Sequence, residues 1–459
     1  MSRHTFAWLI AAGSAAAFGY LVAFGASGAA VAFMAVLALI MFAGVGWAIR
    51  TESDLAWLPK WVVLGFLAKL GGTFARYWMV TVLYGGTGDS YRYYDAGIEL
   101  ALEWRRGRIP GLTGSGAFGT QIVEAVTGGL FAVFTPDLLG GFVMFSIVAF
   151  VGQLMFYAAF RRWAQPYQLK AYALIIFLLP TYAFWPSSIG KDALVVFALG
   201  GAAYAASRTL EAFELRWILG LAVFLGILGL IRIHVAGLVV GGLIVAGVLG
   251  RLPSRVDPVA KVRRLVFVCA GLAAGALVLA LFPDIFGVEL TGDAGLDAFV
   301  SDVVRRTSES GTVASGGPVS GPADVPGAIL LVLFRPLFLE ATELQHFFAA
   351  AETTMILGLT VWKFPAVLRN WRLWRRNGYM VFSTVYVLGF SIAFSVVRNL
   401  GIIARQRGQV LAFFLCFVIG LGWEERKKST PQIPAFDPRA RLPVRAQTVE
   451  SGTGHPIPK

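Results

Sequence analysis

Apolar residues run along this chain in stretches of about sixteen to twenty-five, too continuous for the one-sided stripe of a surface helix. Carrying each run to the charge or turn that bounds it predicts about twelve membrane spans. They lie near 6–25, 29–49, 61–85, 138–160, 171–186, 189–207, 216–232, 235–250, 265–284, 350–368, 378–397 and 403–423. The run at 6–25 resembles a signal peptide, but the next run begins at once and the alternation of sides works with it retained. Two longer segments interrupt the series, 86–137 and 285–349. In the first, Tyr91, Tyr94, Ile98 and Leu102 share one helical face, and Arg92, Glu99, Glu103 and Arg106 lie opposite. That pattern predicts a helix lying flat in the headgroup region. The apolar stretch 118–134 must stay on the same side by parity, so it is expected to be re-entrant or interfacial.

Composition sharpens this picture into a class. Of 459 residues, 57% are apolar and 14% charged, where a soluble domain carries about a quarter charged. Mean hydropathy is +0.71. The fold class expected is an all-α polytopic membrane protein. Disordered, collagenous, disulfide-framed and soluble α/β chains are excluded. A transmembrane domain is expected over 1–423 and a disordered basic cytoplasmic tail over 424–459. The formal charge of +13 would raise nucleic acid as a partner in a soluble protein. Here the basic residues sit mostly in short loops, where they set orientation and attract anionic lipid, so no nucleic-acid partner is expected.

With the N-terminus in the cytoplasm, roughly two thirds of the Lys and Arg fall inside, both termini are cytoplasmic, and the segments 86–137 and 285–349 are external. Cys269 and Cys416 lie inside apolar runs with no spaced Cys/His cluster, so neither a disulfide framework nor a zinc site is supported. No internal repeat and no matched pair of broken helices mark the two halves, which counts against an inverted-repeat transporter.

The informative charges are the basic residues left outside. Ser187-Ser188-Ile189-Gly190-Lys191-Asp192 opens a run from outside to inside, so a Ser cap with Lys191 one turn in makes an anion site. An N-cap with a snorkelling lysine is the plain structural alternative. Arg232 and His234 sit at the next outer turn, Arg335 precedes Pro336 at the mouth of a span, and Arg398, Arg405 and Arg407 flank the turn into the last one. Helix N-termini are expected at 189 and 403. Together these clusters predict one external, water-filled cavity that binds phosphate or pyrophosphate. Asp89 and Asp95 supply the opposite sign, set among Tyr91, Tyr93 and Tyr94. A carboxylate in such a partly desolvated aromatic setting is suited to general-base work, and tyrosines offer surfaces for sugar rings. Equally, Asp89 can cap the helix and Asp95 can pair with Arg92.

A polytopic membrane protein with an Asp in its first long external loop resembles the GT-C superfamily of lipid-phosphosugar-dependent glycosyltransferases. Phe184-Trp185-Pro186-Ser187-Ser188-Ile189-Gly190-Lys191-Asp192 and Ala404-Arg405-Gln406-Arg407 resemble elements of bacterial exopolysaccharide and O-antigen polymerase-type proteins. The acidic pair here is split, where many GT-C members carry adjacent acids. The resemblance implies a transferase or polymerase at the external face of the bacterial inner membrane. Its partners would be a polyprenyl-linked sugar donor, a glycan or lipid acceptor, membrane lipids and cell-envelope assembly proteins. Asp89 or Asp95 would be the catalytic base. Tyr91, Ser187, Ser188, Lys191, Arg232, His234, Arg335, Arg405 and Arg407 would bind substrate or its phosphate. The metal requirement is left open, with a divalent cation as the cofactor to look for. A lipid-linked oligosaccharide flippase and a non-catalytic scaffold of a polysaccharide assembly complex are the rival readings.

Overall fold

The computed structural model describes residues 57–108, 118–133, 136–249, 322–341, 344–397 and 399–423, and among these there is no strand. The spans expected at 6–25, 29–49 and 265–284, the tail 424–459, Arg398 and Cys269 lie outside the described residues. The helices are α1 (Leu58–Trp78, continued by a π turn, Met79–Leu83), α2 (Asp89–Arg105), α3 (Phe118–Val133), α4 (Leu138–Arg161) and α5 (Pro166–Leu178). Then come α6 (Pro180–Phe184), α7 (Lys191–Glu211), α8 (Leu215–Leu249), α9 (Val325–Phe334), α10 (Leu344–Asn370), α11 (Gly378–Phe394), α12 (Leu400–Gln406) and α13 (Gly408–Gly422).

By length and composition α4, α7 and α8 are apolar enough to cross a membrane. The number rises to five if α10 with α11 and α12 with α13 are each counted as one bent span. The described residues are therefore all-helical, with three to five helices long and apolar enough to cross a membrane; about twelve spans is not reached among them. Helix α1 falls short of the same test because it carries Lys69 and Arg76 in its apolar run.

Side-chain contacts give each helix its direction. Phe197 and Tyr204 of α7 meet Phe224 and Trp217 of α8, so these helices are antiparallel. At Arg232 the backbone leaves helical geometry (φ −148°, ψ 81°). Beyond it His234 meets Phe394 and Gly242 lies against Phe382, an antiparallel run along α11. Because α11 starts at Gly378 beside Leu210 of α7, the second arm of α8 heads back the way the first arm came. The 35 residues of α8 thus form a hairpin, not a rod of roughly 52 Å. The turn expected between 216–232 and 235–250 is at Arg232.

The same contacts define two ends of the bundle. Arg162 pairs with Glu211, Asn377 Nδ2 donates to Trp163 O (3.5 Å), and Asn370 Nδ2 donates to Leu421 O (2.8 Å). Arg208 and Arg216 flank the Trp217 ring at this end, and the turn Trp371–Arg376, between Asn370 and Asn377, brings Arg372 and Arg375 to it as well. Asp89, Asp192, Arg232 and Arg405 meet at the opposite end. Among the described residues, Arg162, Arg208 and Arg216, expected in inner loops, are thereby at the other end from Arg232 and Arg405, expected outside.

One face of α1 carries Gly65, Lys69, Gly72 and Arg76, spaced i, i+4, i+7 and i+11. It packs on the segment from α5 to α7, which cannot stay helical because Pro180 lacks an N–H and disfavours helix at Leu179. A Cβ at Gly72 would lie 1.9 Å from Ala183 O, so only glycine admits this approach. Lys69 Nζ donates to Tyr182 O (2.7 Å) and Pro186 O (3.0 Å), and Thr181 N–H donates to Glu352 of α10 (2.6 Å). Backbone groups released by the break are thus satisfied by two buried charges, as an apolar surround demands.

Helix α2 forms where an interfacial helix was expected, after Gly85, Gly86 and Gly88 turn the chain with positive φ. Its buried stripe is rotated from the expected one: Ser90, Tyr93, Gly97 and Ala101 are buried, while Tyr91, Tyr94 and Ile98 flank them and Leu102 is exposed. The reason is α3, whose Thr127 and Gly128 pack against Gly97 and Leu100. Small residues let the two backbones come close, and larger apolar side chains move to the margins. Cys416 is buried against Tyr172 and serves packing.

Lys69→Met would leave two buried carbonyls without donors and should lower unfolding stability by roughly 2–5 kcal/mol, read as a fall in thermal midpoint in detergent. Single cysteines at Glu99 and Arg372, in a background without the native thiols, should label with an impermeant reagent from opposite faces of a sealed membrane. Labelling of both from one face would overturn the separation of the two ends.

Candidate functional site

The separated end of the bundle is built from four elements: the last turns of α1, the start of α2, the first turn of α7, and α12. The α8 hairpin turn closes it from below. Helix α7 begins at Lys191 with Gly190 as its cap residue, not at 189, and no side chain caps it. Ser187 Oγ donates to Ala183 O instead, and Ser188 is buried. The expected Ser-capped anion site is therefore not formed, because both serines belong to the broken segment. The second expected N-terminus is at Leu400, not 403, where Asn399 Oδ1 accepts from Ile402 N–H (3.0 Å).

Asp192, missed as a site residue, is the hub. Its side chain is 10% exposed and receives Arg232 Nη2 (2.8 Å) on one oxygen and Arg405 Nε on the other. Arg232 Nη1 also donates to Gln406 Oε1, which accepts from Gln409 as well. Arg405 reaches on toward Asp89 (3.8 Å), and Asp89 pairs with Arg92 of its own helix (3.7 Å). Lys191, half-buried, feels the charges of Asp89, Arg92, Arg232 and Arg405. Five cations (Arg76, Arg92, Lys191, Arg232 and Arg405) thus face two carboxylates. The sequence signal for Asp192 was its place directly after Lys191; its role needed arginines 40 and 213 residues away.

Above this hub opens a cavity of about 390 Å³, lined by Arg76, Asp89, Arg405, Trp185, Tyr84 and Asn399 among others. That lies within the range of small-molecule sites, roughly 300–1,000 Å³. Asp89 lines it, but its side chain is 54% exposed and held by two arginines, so the desolvated aromatic setting expected for it is not formed. Behind it, burial and then the charge of Asp89 raise the Tyr93 phenol above its ordinary pKa, keeping it a neutral hydrogen-bonding group. Asp95 is on the exposed side of α2 and does not line the cavity, because six residues of helix carry it past the rim. Tyr91 packs as part of the core and against Gly86. His234 lies against the Phe394 ring.

Arg335 and Arg407, expected in the same cavity, are drawn into another cluster. Arg335 bonds Glu340, whose carboxyl is pushed up by burial but held below its ordinary value overall by the bonds from Arg335 and Leu337 N–H. Arg407 is fully buried at the 59° bend between α12 and α13. Its Nη1 donates to Thr353 Oγ1 (2.7 Å) and Arg335 O (3.1 Å), and its Nη2 lies 3.8 Å from Glu352. Helix geometry separates it from Arg405, two residues earlier, by nearly half a turn.

Among the described residues no group of three or more His, Cys, Asp or Glu is placed to hold a metal ion. Both oxygens of Asp192 already take guanidinium N–H groups, so the donor set does not fit the divalent cation considered above. No known family model, curated protein or solved structure matches this chain.

Asp192→Asn would leave two buried guanidiniums facing each other and should cost about 3–5 kcal/mol of stability. Adding Arg232→Gln should recover part of that loss, a coupling measurable as non-additive thermal midpoints. Simple additivity would show that the triad is not a unit.

Proposed function

We propose that the protein is an integral-membrane glycosyltransferase or polysaccharide polymerase of the bacterial inner membrane. In this reading it has about twelve spans, both termini are cytoplasmic, and sugar comes from a polyprenyl-phosphate-linked donor at the external face. The observation that carries this is the cavity in which Asp89 stands across from Arg405 and Arg76. A carboxylate and guanidiniums lining one cavity suit a transfer that generates a proton at one oxygen and negative charge at another.

An acceptor hydroxyl oxygen attacks the anomeric carbon, and its proton passes to Asp89. The bond from that carbon to the phosphate oxygen breaks, and the electron pair leaves with the phosphate. Arg405, oriented by Asp192, stabilises the developing charge. Such preorganised electrostatic contacts each contribute on the order of 3 kcal/mol, roughly a hundredfold in rate. Trp185 and Tyr84 supply the flat amphipathic surfaces on which a sugar ring stacks. Lys191 and Arg232 act from behind the wall through their charge, and the envelope glycan or lipid is the acceptor.

The test is release of polyprenyl phosphate or pyrophosphate from the lipid-linked sugars of the native membrane, with purified protein in nanodiscs. Asp89→Asn should slow release by about a hundredfold to ten-thousandfold, and Asp95→Asn should be nearly neutral. Normal release in a well-folded Asp89→Asn protein would remove Asp89 as the base. Movement of the lipid-linked sugar across the bilayer without bond cleavage would replace the transferase by a flippase.

A further inference from the structure

Arg76 is 9% exposed, and its Nε–H is buried without a partner. Among the described residues its guanidinium makes no hydrogen bond or ion pair; it lies over the rings of Phe184 and Trp185, at 5.5 and 5.3 Å. The other arginines at this end of the bundle each have a carboxylate within ion-pair distance: Arg232 and Arg405 face Asp192, Arg335 faces Glu340, and Arg407 faces Glu352 while its Nη1 donates to Thr353. Lys69, on the same face of α1, has its two carbonyls. An unanswered buried cation is expensive, and ring contacts offset only part of the cost. Yet Arg76 is not sealed in: it lines the 390 Å³ cavity together with Arg405.

We propose that Arg76 is the receptor for a phosphate oxyanion, gripped at the cavity wall by its planar fork while Phe184 and Trp185 pack against the guanidinium. A fork of parallel N–H donors matches tetrahedral oxyanions, and the two nearly perpendicular rings restrict where the guanidinium can sit before the ligand arrives. Arg405 stands beside it as a second donor. Its Nε bond to Asp192 leaves an Nη group turned toward Asp89 at the cavity. The apolar wall of Val80, Tyr84, Trp185 and Ile402 fits the rest of an amphipathic ligand better than it fits an isolated hydrated ion. This deepens the transferase reading and rests on it for the lipid-linked source of the phosphate; the anion chemistry stands by itself.

The experiment compares binding of undecaprenyl phosphate, undecaprenol and inorganic phosphate to the full chain in nanodiscs, with thermal midpoints for every variant. Arg76→Gln should weaken undecaprenyl phosphate binding about tenfold or more, with the midpoint equal or higher, since a buried unpaired charge has been removed. A merely structural arginine would lower the midpoint and leave affinity alone. Arg76→Lys, which keeps the charge and loses the fork, should fall in between. Competition by inorganic phosphate as strong as by the lipid would assign the site to the free anion; preference for the lipid phosphate over both other probes would assign it to a headgroup. Wild-type affinity in folded Arg76→Gln, or no binding of either phosphate by the wild type, would overturn the proposal. If Arg76→Gln does not fold, wild-type affinity in Arg76→Lys overturns fork recognition and a clear loss supports it. Binding without sugar release would leave the Arg76 site standing and remove the transferase. Release that survives with unchanged affinity in Arg76→Gln would do the reverse.

Discussion

Everything at the candidate site depends on a stretch of backbone that is buried and not helical. Between Leu179 and Gly190 the chain leaves α5, makes one turn at α6 and then enters α7. In an apolar surround its free carbonyls and N–H groups need partners of their own. Lys69 supplies two donors from α1, and Glu352 supplies an acceptor from α10. Because these partners come from different helices, the broken segment is held from two sides. Trp185 is thereby set at the cavity wall and Asp192 in the first turn of α7.

Glu352 links this break to a second one. One carboxylate oxygen takes Thr181 N–H; the other faces Arg407, which sits at the bend between α12 and α13 and bonds back to Thr353 and Arg335 O. A buried pair of this kind is poor at raising stability and good at excluding other arrangements, since removing either member strands the other. The two irregular segments that frame the cavity, 179–190 and 399–408, are thus tied to one helix. Tyr182 adds a further tie, its hydroxyl accepting from Ala412 N–H (2.9 Å).

Electrostatics at the cavity follows from the same scarcity of solvent. Asp192 bridges Arg232 and Arg405, offsetting one of their two charges, and binds the hairpin turn of α8 to α12 through one side chain. Arginine suits this better than lysine because each guanidinium answers two partners at once: Arg232 takes Asp192 and Gln406, and Arg405 takes Asp192 and turns toward Asp89. Among the described residues no carboxylate pairs with Arg76, which lines the cavity, or with Lys191. The carboxylate with most access to water is Asp89. Fixed cations behind and a solvated carboxylate at the rim give the cavity a directional field.

The helices, and the end at which the charged residues meet, were legible in the linear pattern. Apolar runs bounded by charge located α4, α7, both arms of α8, α10, α11 and α13, because hydrophobic length is a local property of the chain. The meeting of Asp89, Lys191, Arg232 and Arg405 at one end was legible too, since alternating helix direction places every second turn on the same side. What tertiary structure alone decided is which of those charges answer one another. Arg405 and Arg407 are two residues apart, yet one faces the cavity and the other is sealed beside Thr353, because the turn of a helix sends neighbouring side chains to different faces. Arg76 read as a charge deep in a span, and only the packing of α1 on Phe184 and Trp185 left it without a partner at a cavity wall. A single sequence shows where charge is placed along the helices. Whether a charge is neutralised depends on contacts between residues distant in the chain, which the apolar pattern does not encode.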